Sequence, residues 1–294
     1  MNTTALTYAV VTPARNEAQN LPRLAASMVN QTVLPLAWVI VDHGSTDETA
    51  MVAARLASVH DWISVVSIEG EATPTRGGPI VQAFNVGLGM LGNPADVVVK
   101  LDADVSFEPD HFALLLDEFV RDPALGIGSS TCWEHGRGVW RPKAVARSHV
   151  RGAVRAYRWR CLQEVMPLEP RMGWDTIDEI KARLNGWSTR SVPEVAFFHH
   201  RPLGARDGGN RSWESQGVLA WYLGYRVPYL LLRTGFRALH DRHAVAMLYA
   251  WARAGLRGEP RYPDGDVRRA LRAEQSLLRL PLRAREVLLR RQGS

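Results

Sequence analysis

Cysteine is scarce in this chain. Cys132 and Cys161 are the only two in 294 residues and lack CxxC spacing, which argues against a disulfide framework and against a cysteine-ligated zinc site. There is no uninterrupted apolar run of transmembrane length, and MNTTALTYAVVTP has neither the basic segment nor the apolar core of a signal peptide. The expectation is a cytoplasmic protein. Internal repeats and low-complexity linkers are also missing. No GxGxxG follows the first apolar run, where PARNE stands instead. That argues against a nicotinamide enzyme, and the lack of any Gly-rich loop there argues against a nucleotidyltransferase.

What is present is an ordinary globular composition, 46% hydrophobic and 22% charged, long enough to bury a sizeable core. The net charge of +6 is unevenly spread. From Arg226 onward there are 15 Arg and 6 acidic residues, a net of +9, so the preceding 225 residues carry −3. A basic tail beside a mildly acidic body suggests an anionic surface as partner. Solvated Arg-rich helices explain the same charge. Nucleic acid has only this tail in its favour and is not expected as a partner.

The first 125 residues alternate short apolar runs with helical patterns. YAVV breaks at Pro13; a helix follows with Leu21, Leu24, Ala25 and Met28 on one face. AWVIV leads to a polar turn and a second helix, WISVVSI is a third strand, GGPIVQAFNVGLGML a third helix and DVVVKL a fourth strand. Alternation of this kind predicts a mostly parallel sheet flanked by helices, with ligands beyond the carboxyl ends of the strands. Glu17, Asp42, Asp102 and Asp104 all follow strand ends and so share one rim. Asp102 and Asp104 are two apart, point the same way and can converge on one cation.

Four segments carry a family resemblance. TPARNEAQNL, VIVDHGSTDET, RGGPIVQAFNVGL and KLDAD occur in the order of, and with near the spacing of, the motifs of family 2 glycosyltransferases. These are inverting nucleotide-sugar enzymes of the GT-A fold. The resemblance covers most of residues 7–204. It implies a Rossmann-like α/β domain over residues 1–215, with a donor half to about 125 and an acceptor half beyond; the amphipathic pattern and Arg content of residues 216–294 read separately as a basic helical extension. It also implies a nucleoside-diphosphate sugar as donor and Mn2+ or Mg2+ as cofactor. By resemblance Asp104 binds the metal and Asp102 stands nearer the donor ribose. Asp42 accepts a hydrogen bond from the nucleobase, Glu17 lies against the nucleoside, and Pro13 and Arg15 belong to the same donor loop. Arg76 pairs with a phosphate or is a surface Arg. Asn85 and Gly87 are packing residues. His43 replaces the second acid of the family's usual pair.

In the second half RMGWDTIDEIKARLNGW is similar to the family's acceptor-side motif, which implies Asp175 as the base that deprotonates the acceptor hydroxyl. Trp174 replaces the preceding Glu, and Asp178 and Glu179 remain alternatives. Asp175 and Asp178 also resemble an N-cap and its partner. In VAFFHHR one histidine, His199 rather than His200, is expected to join the metal, because adjacent strand residues face opposite ways. Arg201 reaches the diphosphate or is solvated. Trp133, Trp140, His149, Arg151 and Arg155 are expected on the acceptor floor. The function implied is transfer of a sugar to a hydroxyl of a glycan or lipid-linked acceptor, in surface polysaccharide or glycoconjugate synthesis. The alternative is an inactive scaffold of the same fold in a glycan assembly complex. The amphipathic basic stretch after Gly217 suits peripheral association with an anionic membrane or a homodimer.

Overall fold

The computed structural model describes residues 6–70, 77–92, 95–136, 138–143, 149–201 and 209–276. The chain divides into two compact units, residues 1–201 and 202–294. The boundary expected at 215/216 falls inside a helix, Gly209–Tyr222. Cutting there would break that helix's internal hydrogen bonds, and the division lies ahead of it.

The first unit begins β1 (Tyr8–Ala14), α1 (Leu21–Val29), β2 (Trp38–His43), α2 (Thr49–Val59), β3 (Ile63–Ile68), α3 (Gly78–Met90), β4 (Val97–Leu101). The strands lie side by side in the order β3-β2-β1-β4, all parallel. The Val and Ile runs of β1, β2 and β4 are buried on both faces, as a parallel sheet covered by helices requires, while the edge strand β3 is mostly half-buried. Alternation sends Val10, Ile40 and Val99 into one core with Leu24 and Met28 of α1, and Val11, Val41 and Val98 into the other with Val81 and Phe84 of α3. β1 does not stop at Pro13. It continues to Ala14, with Pro13 opposite Val41 of β2 and beyond Val11, the last residue paired to β4, so Pro13's missing N–H leaves the β4 ladder intact. A Cβ on Gly87 of α3 would fall 2.4 Å from Val11 Cγ1 and 3.1 Å from Val41 Cγ2. The helix therefore rests on the sheet at a distance that only glycine permits.

Next come β5 (Val105–Ser106), α4 (His111–Arg121), β6 (Leu125–Gly136), β7 (Val139–Pro142), β8 (Val154–Arg158), α5 (Trp159–Val165), α6 (Trp174–Leu184) and β9 (Ser188–His199). They extend the same sheet: β8 runs antiparallel to β4, β6 antiparallel to β8, β9 parallel to β6 and β5 antiparallel to β9, while β7 pairs β6. The Arg-rich stretch expected on the acceptor floor thus becomes a central strand, and Arg155 within it is completely buried.

The second unit holds α7 (Gly209–Tyr222), α8 (Val227–Ala238), α9 (Ala246–Leu256) and α10 (Gly265–Glu274). Its small core gathers Ala220, Leu230 and Met247. α10 is capped by Asp264, whose carboxylate accepts from the backbone N–H groups of Asp266 and Val267. No helix among the described residues is long and apolar enough to cross a membrane.

Candidate active site

Parallel order puts the carboxyl ends of β1, β2 and β4 on one rim, and two loops are stitched together there. Asn16 has a φ of 55°, a left-handed conformation that Asn tolerates better than most residues. Its side-chain oxygen accepts from Thr46 N at 2.8 Å, and its own N–H donates to Ser45 Oγ at 3.0 Å. Glu17 N donates to Thr49 Oγ1 at 2.7 Å and Ala18 N to Asp47 Oδ2 at 3.2 Å. Asp42 is buried and accepts from the backbone and hydroxyl of Ser45. His43 beside it is buried with its Nε2 unpartnered among the described residues. Pro13 and Arg15 are half-buried at the end of β1, and the Arg15 guanidinium lies against Gly70. Arg76 lies outside the described residues. The adjoining Gly77, at a φ of 88°, packs on the backbone of Arg171 and Met172, just before α6.

β4 hands over to the Asp pair. Asp102 N donates to Ala153 O at 2.8 Å. Lys100, two residues earlier on the same face, is buried; its Nζ pairs with Asp102 Oδ1 and donates to Gly152 O at 2.8 Å. Asp104 Oδ1 is 3.2 Å from His199 Nε2, and Arg201 Nη1 is 3.6 Å from Asp104 Oδ2. Arg201 also grips Glu17 with both nitrogens, at 2.8 and 2.7 Å. Ligand atoms of Asp102, Asp104 and His199 lie within 4.8 Å of one another, and His199 forms a second group of that span with Cys132 and Glu134. Carboxylate oxygens with one imidazole are a donor set that suits Mn2+ and Mg2+. Burial raises the Asp102 carboxyl, with Lys100 opposing and Asp104 adding to the rise. For Asp104 burial acts upward too, but the hydrogen bond and charge of His199 and the charge of Arg201 bring it below the ordinary carboxylate range. His199 resists protonation through burial, yet Asp104, Cys132 and Asp102 carry it up to about 10.

His200 points the other way, as strand alternation predicts. Its Nε2 is 2.7 Å from Ser106 Oγ, and its ring meets Trp140 edge-on at 5.2 Å. Trp140 in turn packs on Phe198 at 5.1 Å, and Trp133 lies 6.4 Å from Phe198. Arg151 is half-buried, with Nη1 4.0 Å from Glu134 Oε1.

Asp175 lies in the first turn of α6, but it is not the cap. Gly173, at a φ of 89°, holds the cap position and no side chain caps the helix. A Cβ on Gly152 would stand 3.6 Å from Asp175 Oδ2, and the Gly152 carbonyl is the one that Lys100 holds. Asp175 Oδ2 thus faces Gly152, whose carbonyl Lys100 links to Asp102, and the carboxylate of the second half stands near the rim of the first. Asp175 is half-exposed there.

Other candidates turn inward. Asp178 is 1% exposed and is gripped twice by Arg155, Nε to Oδ2 at 3.0 Å and Nη2 to Oδ1 at 2.5 Å, with the Tyr157 hydroxyl donating as well. Glu179 accepts from Val150 N at 2.8 Å and lies 3.2 Å from His149 Nδ1 and 3.3 Å from Arg155 Nη1. Trp174 is 6% exposed, with the cations of Lys100 and Arg155 5.7 and 5.5 Å from its ring centre. Asp178, Glu179 and Arg155 therefore leave the list of groups that can meet an acceptor: at 1, 3 and 0% exposure they are bonded to one another inside the protein, out of reach of an acceptor hydroxyl. Sequence reasoning missed Lys100, Ser45, Cys132 and Glu134. Lys100 alone had a visible signal, a cation two residues before Asp102 on the same strand face.

Residues 9–151 match the model of Glycosyl transferase family 2. Chondroitin synthase of Escherichia coli is 30% identical over 125 residues, which is 40% of this chain and 16% of that protein. Polyprenol monophosphomannose synthase of Mycolicibacterium smegmatis is 32% identical over 121 residues, 41% of this chain and 43% of that protein. The matches thus span less than half the length of these curated relatives. Among solved structures, a mannosyltransferase from Pyrobaculum calidifontis in complex with GDP-Man and Mn2+ superimposes with a TM-score of 0.59 at 19% identity, covering 97% of this chain and 84% of that one. Residues 9–151 thus match a family 2 glycosyltransferase domain, and the chain has the GT-A fold of the solved mannosyltransferase.

Proposed function

We propose that the protein is a metal-dependent inverting glycosyltransferase that moves a sugar from a nucleoside-diphosphate sugar to a hydroxyl of a lipid-linked or glycan acceptor. The observation that carries this reading is the convergence of Asp102, Asp104 and His199 within 4.8 Å, with Asp175 beside Gly152, whose carbonyl Lys100 holds. Inverting transfer needs a base on one side of the anomeric carbon and charge neutralisation on the leaving side. Asp104 and His199 would hold Mn2+ or Mg2+, with Asp102 beside them; the ion's part, when bound, is to offset negative charge growing on the departing diphosphate.

The protein groups do the rest. Asp42 and the Asn16-to-Ser45 stitching present a rigid acceptor edge to the nucleobase. Arg201 can exchange Glu17 for a diphosphate oxygen. Asp175, facing the positive end of α6, takes the acceptor proton. The exposed edges of Trp140 and Trp133 offer apolar faces to a sugar ring. A polyprenol in the name of one relative favours the lipid-linked acceptor, and GDP-Man in the solved mannosyltransferase puts GDP-sugars first among donors to try. Thermal shift against UDP-, GDP-, dTDP- and CMP-sugars, with Mn2+ or EDTA, tests the proposal. A shift with one nucleotide that needs Mn2+ and vanishes in Asp104→Ala is expected. A folded protein that responds to no donor would overturn it.

A further inference from the structure

The second unit contains a helix whose polarity is reversed. Leu230 and Thr234 of α8 are buried, and the half-buried Arg233 donates to Gln216 Oε1 at 2.8 Å. The opposite side carries Val227, Leu231, Leu232, Phe236 and Leu239, exposed by 46, 53, 53, 62 and 80%. At helical spacing these positions, with Pro228 and Gly235, cover about half the circumference without a charge. Solvated helices put their charges on that side.

Charge chooses the occupant. Residues 226–257 contain six Arg and a single acid, Asp241, and that acid is already engaged by Trp213 Nε1 at 2.7 Å and His243 N at 3.0 Å. At the N-terminal end of α8 a cavity of about 320 Å³ is lined by Arg226, Val227, Pro228, Tyr229, Arg272 and Gln275. Two guanidinium groups thus border a cleft that opens beside the apolar face. A second copy docked through the same helix face would bring Arg against Arg, since the single acid of residues 226–257 is already engaged. A nucleic acid would find no donors on the apolar side. An anionic lipid surface satisfies both features at once, taking the leucines and Phe236 below its headgroups and a phosphate into the cleft.

We propose that α8 is a membrane-docking helix, with its Val227-to-Leu239 face inserted at the interface and Arg226 and Arg272 on an anionic headgroup. The inference is independent of the catalytic reading, and its test uses neither donor nor metal. The full chain is floated with phosphatidylcholine vesicles and with vesicles containing about one-third phosphatidylglycerol at low salt. Wild type is expected to rise with the anionic vesicles and to stay below with the neutral ones. Arg226→Gln and Arg272→Gln should each lower partitioning roughly fivefold. Phe236→Glu should abolish it, while Val59→Glu, on an exposed site of the first unit, should leave it unchanged. If Phe236→Glu does not fold, Leu239→Glu at an 80% exposed position carries the same test. Three results would overturn the proposal: folded wild type that stays below with anionic vesicles, Phe236→Glu or Leu239→Glu that still floats, or light scattering that finds a dimer dispersed by these substitutions with no flotation.

Discussion

Two groups of acids lie close together in the first unit and differ in how completely their neighbours satisfy them. Asp178 and Glu179 sit inside the protein, and their oxygens meet Arg155, Tyr157, His149 and the backbone of Val150. Asp104 and Asp102 sit at the rim, with His199, Arg201 and Lys100 as partners. Around them, among the described residues, remain buried atoms with no hydrogen bond, His199 Nδ1 and Glu134 Oε1. Unsatisfied buried atoms are costly, so a structural cluster completes its bonds and a cluster that works on a ligand does not. Satisfaction, more than burial or charge, separates the two.

The largest effect that would sharpen this contrast is on catalysis. Asp175→Asn should lower kcat by up to about 10⁴-fold, the upper range for a general base, with an unchanged melting temperature. A melting loss with activity retained would assign Asp175 to the structural group. Arg155→Ala should do the reverse, destabilising the fold by about 3–5 kcal/mol because two buried carboxylates lose their cation; urea unfolding reads this directly. His111 gives a smaller, pH-dependent effect. Its Nδ1 is 2.9 Å from the carbonyl of Ala196, and burial, against the pull of that bond and of Asp110, lowers its pKa to about 4. The unfolded chain takes up this proton near pH 6.5 and the folded one only near 4. Stability is therefore full above about 6.5 and falls between 6.5 and 4, by on the order of 3 kcal/mol, and His111→Gln should flatten that slope. Glu134→Gln is the mildest. If Glu134 steadies His199 from the side away from Asp104, Mn2+ affinity by calorimetry should fall about tenfold with little change in stability.

The donor half was legible in the sequence because its signals are local. A Val-rich run buried on both faces, a polar turn and an amphipathic helix recur, and parallel order then fixes where the acids go. Asp102, Asp104 and His199 were brought together as expected, and strand alternation separated His199 from His200. The second half was less legible for a reason visible in VRAYR. A strand with Arg155 at its centre reads as surface until the partners of that Arg are known, and those partners, Asp178 and Glu179, are on a helix more than twenty residues away in sequence. Asp178 and Glu179 entered the list of bases because they stand beside Asp175 in the same motif, which gives no sign of the buried Arg155 that holds them. Trp174 read as an acceptor-side substitution, yet its ring is the floor beneath Lys100 and Arg155.

The tight seat of α3 has a consequence at the helix's other end. Gly87 touches Val11 and Val41, while the other end of the same helix begins at Gly77 against Arg171 and Met172. A methyl group at position 87 would act as a wedge under one end of a rigid rod about 20 Å long, and the tilt would be felt at the loop that delivers Asp175. Random mutagenesis scored by activity should find Gly87 among its most sensitive positions, although it is buried between helix and sheet and carries no functional group.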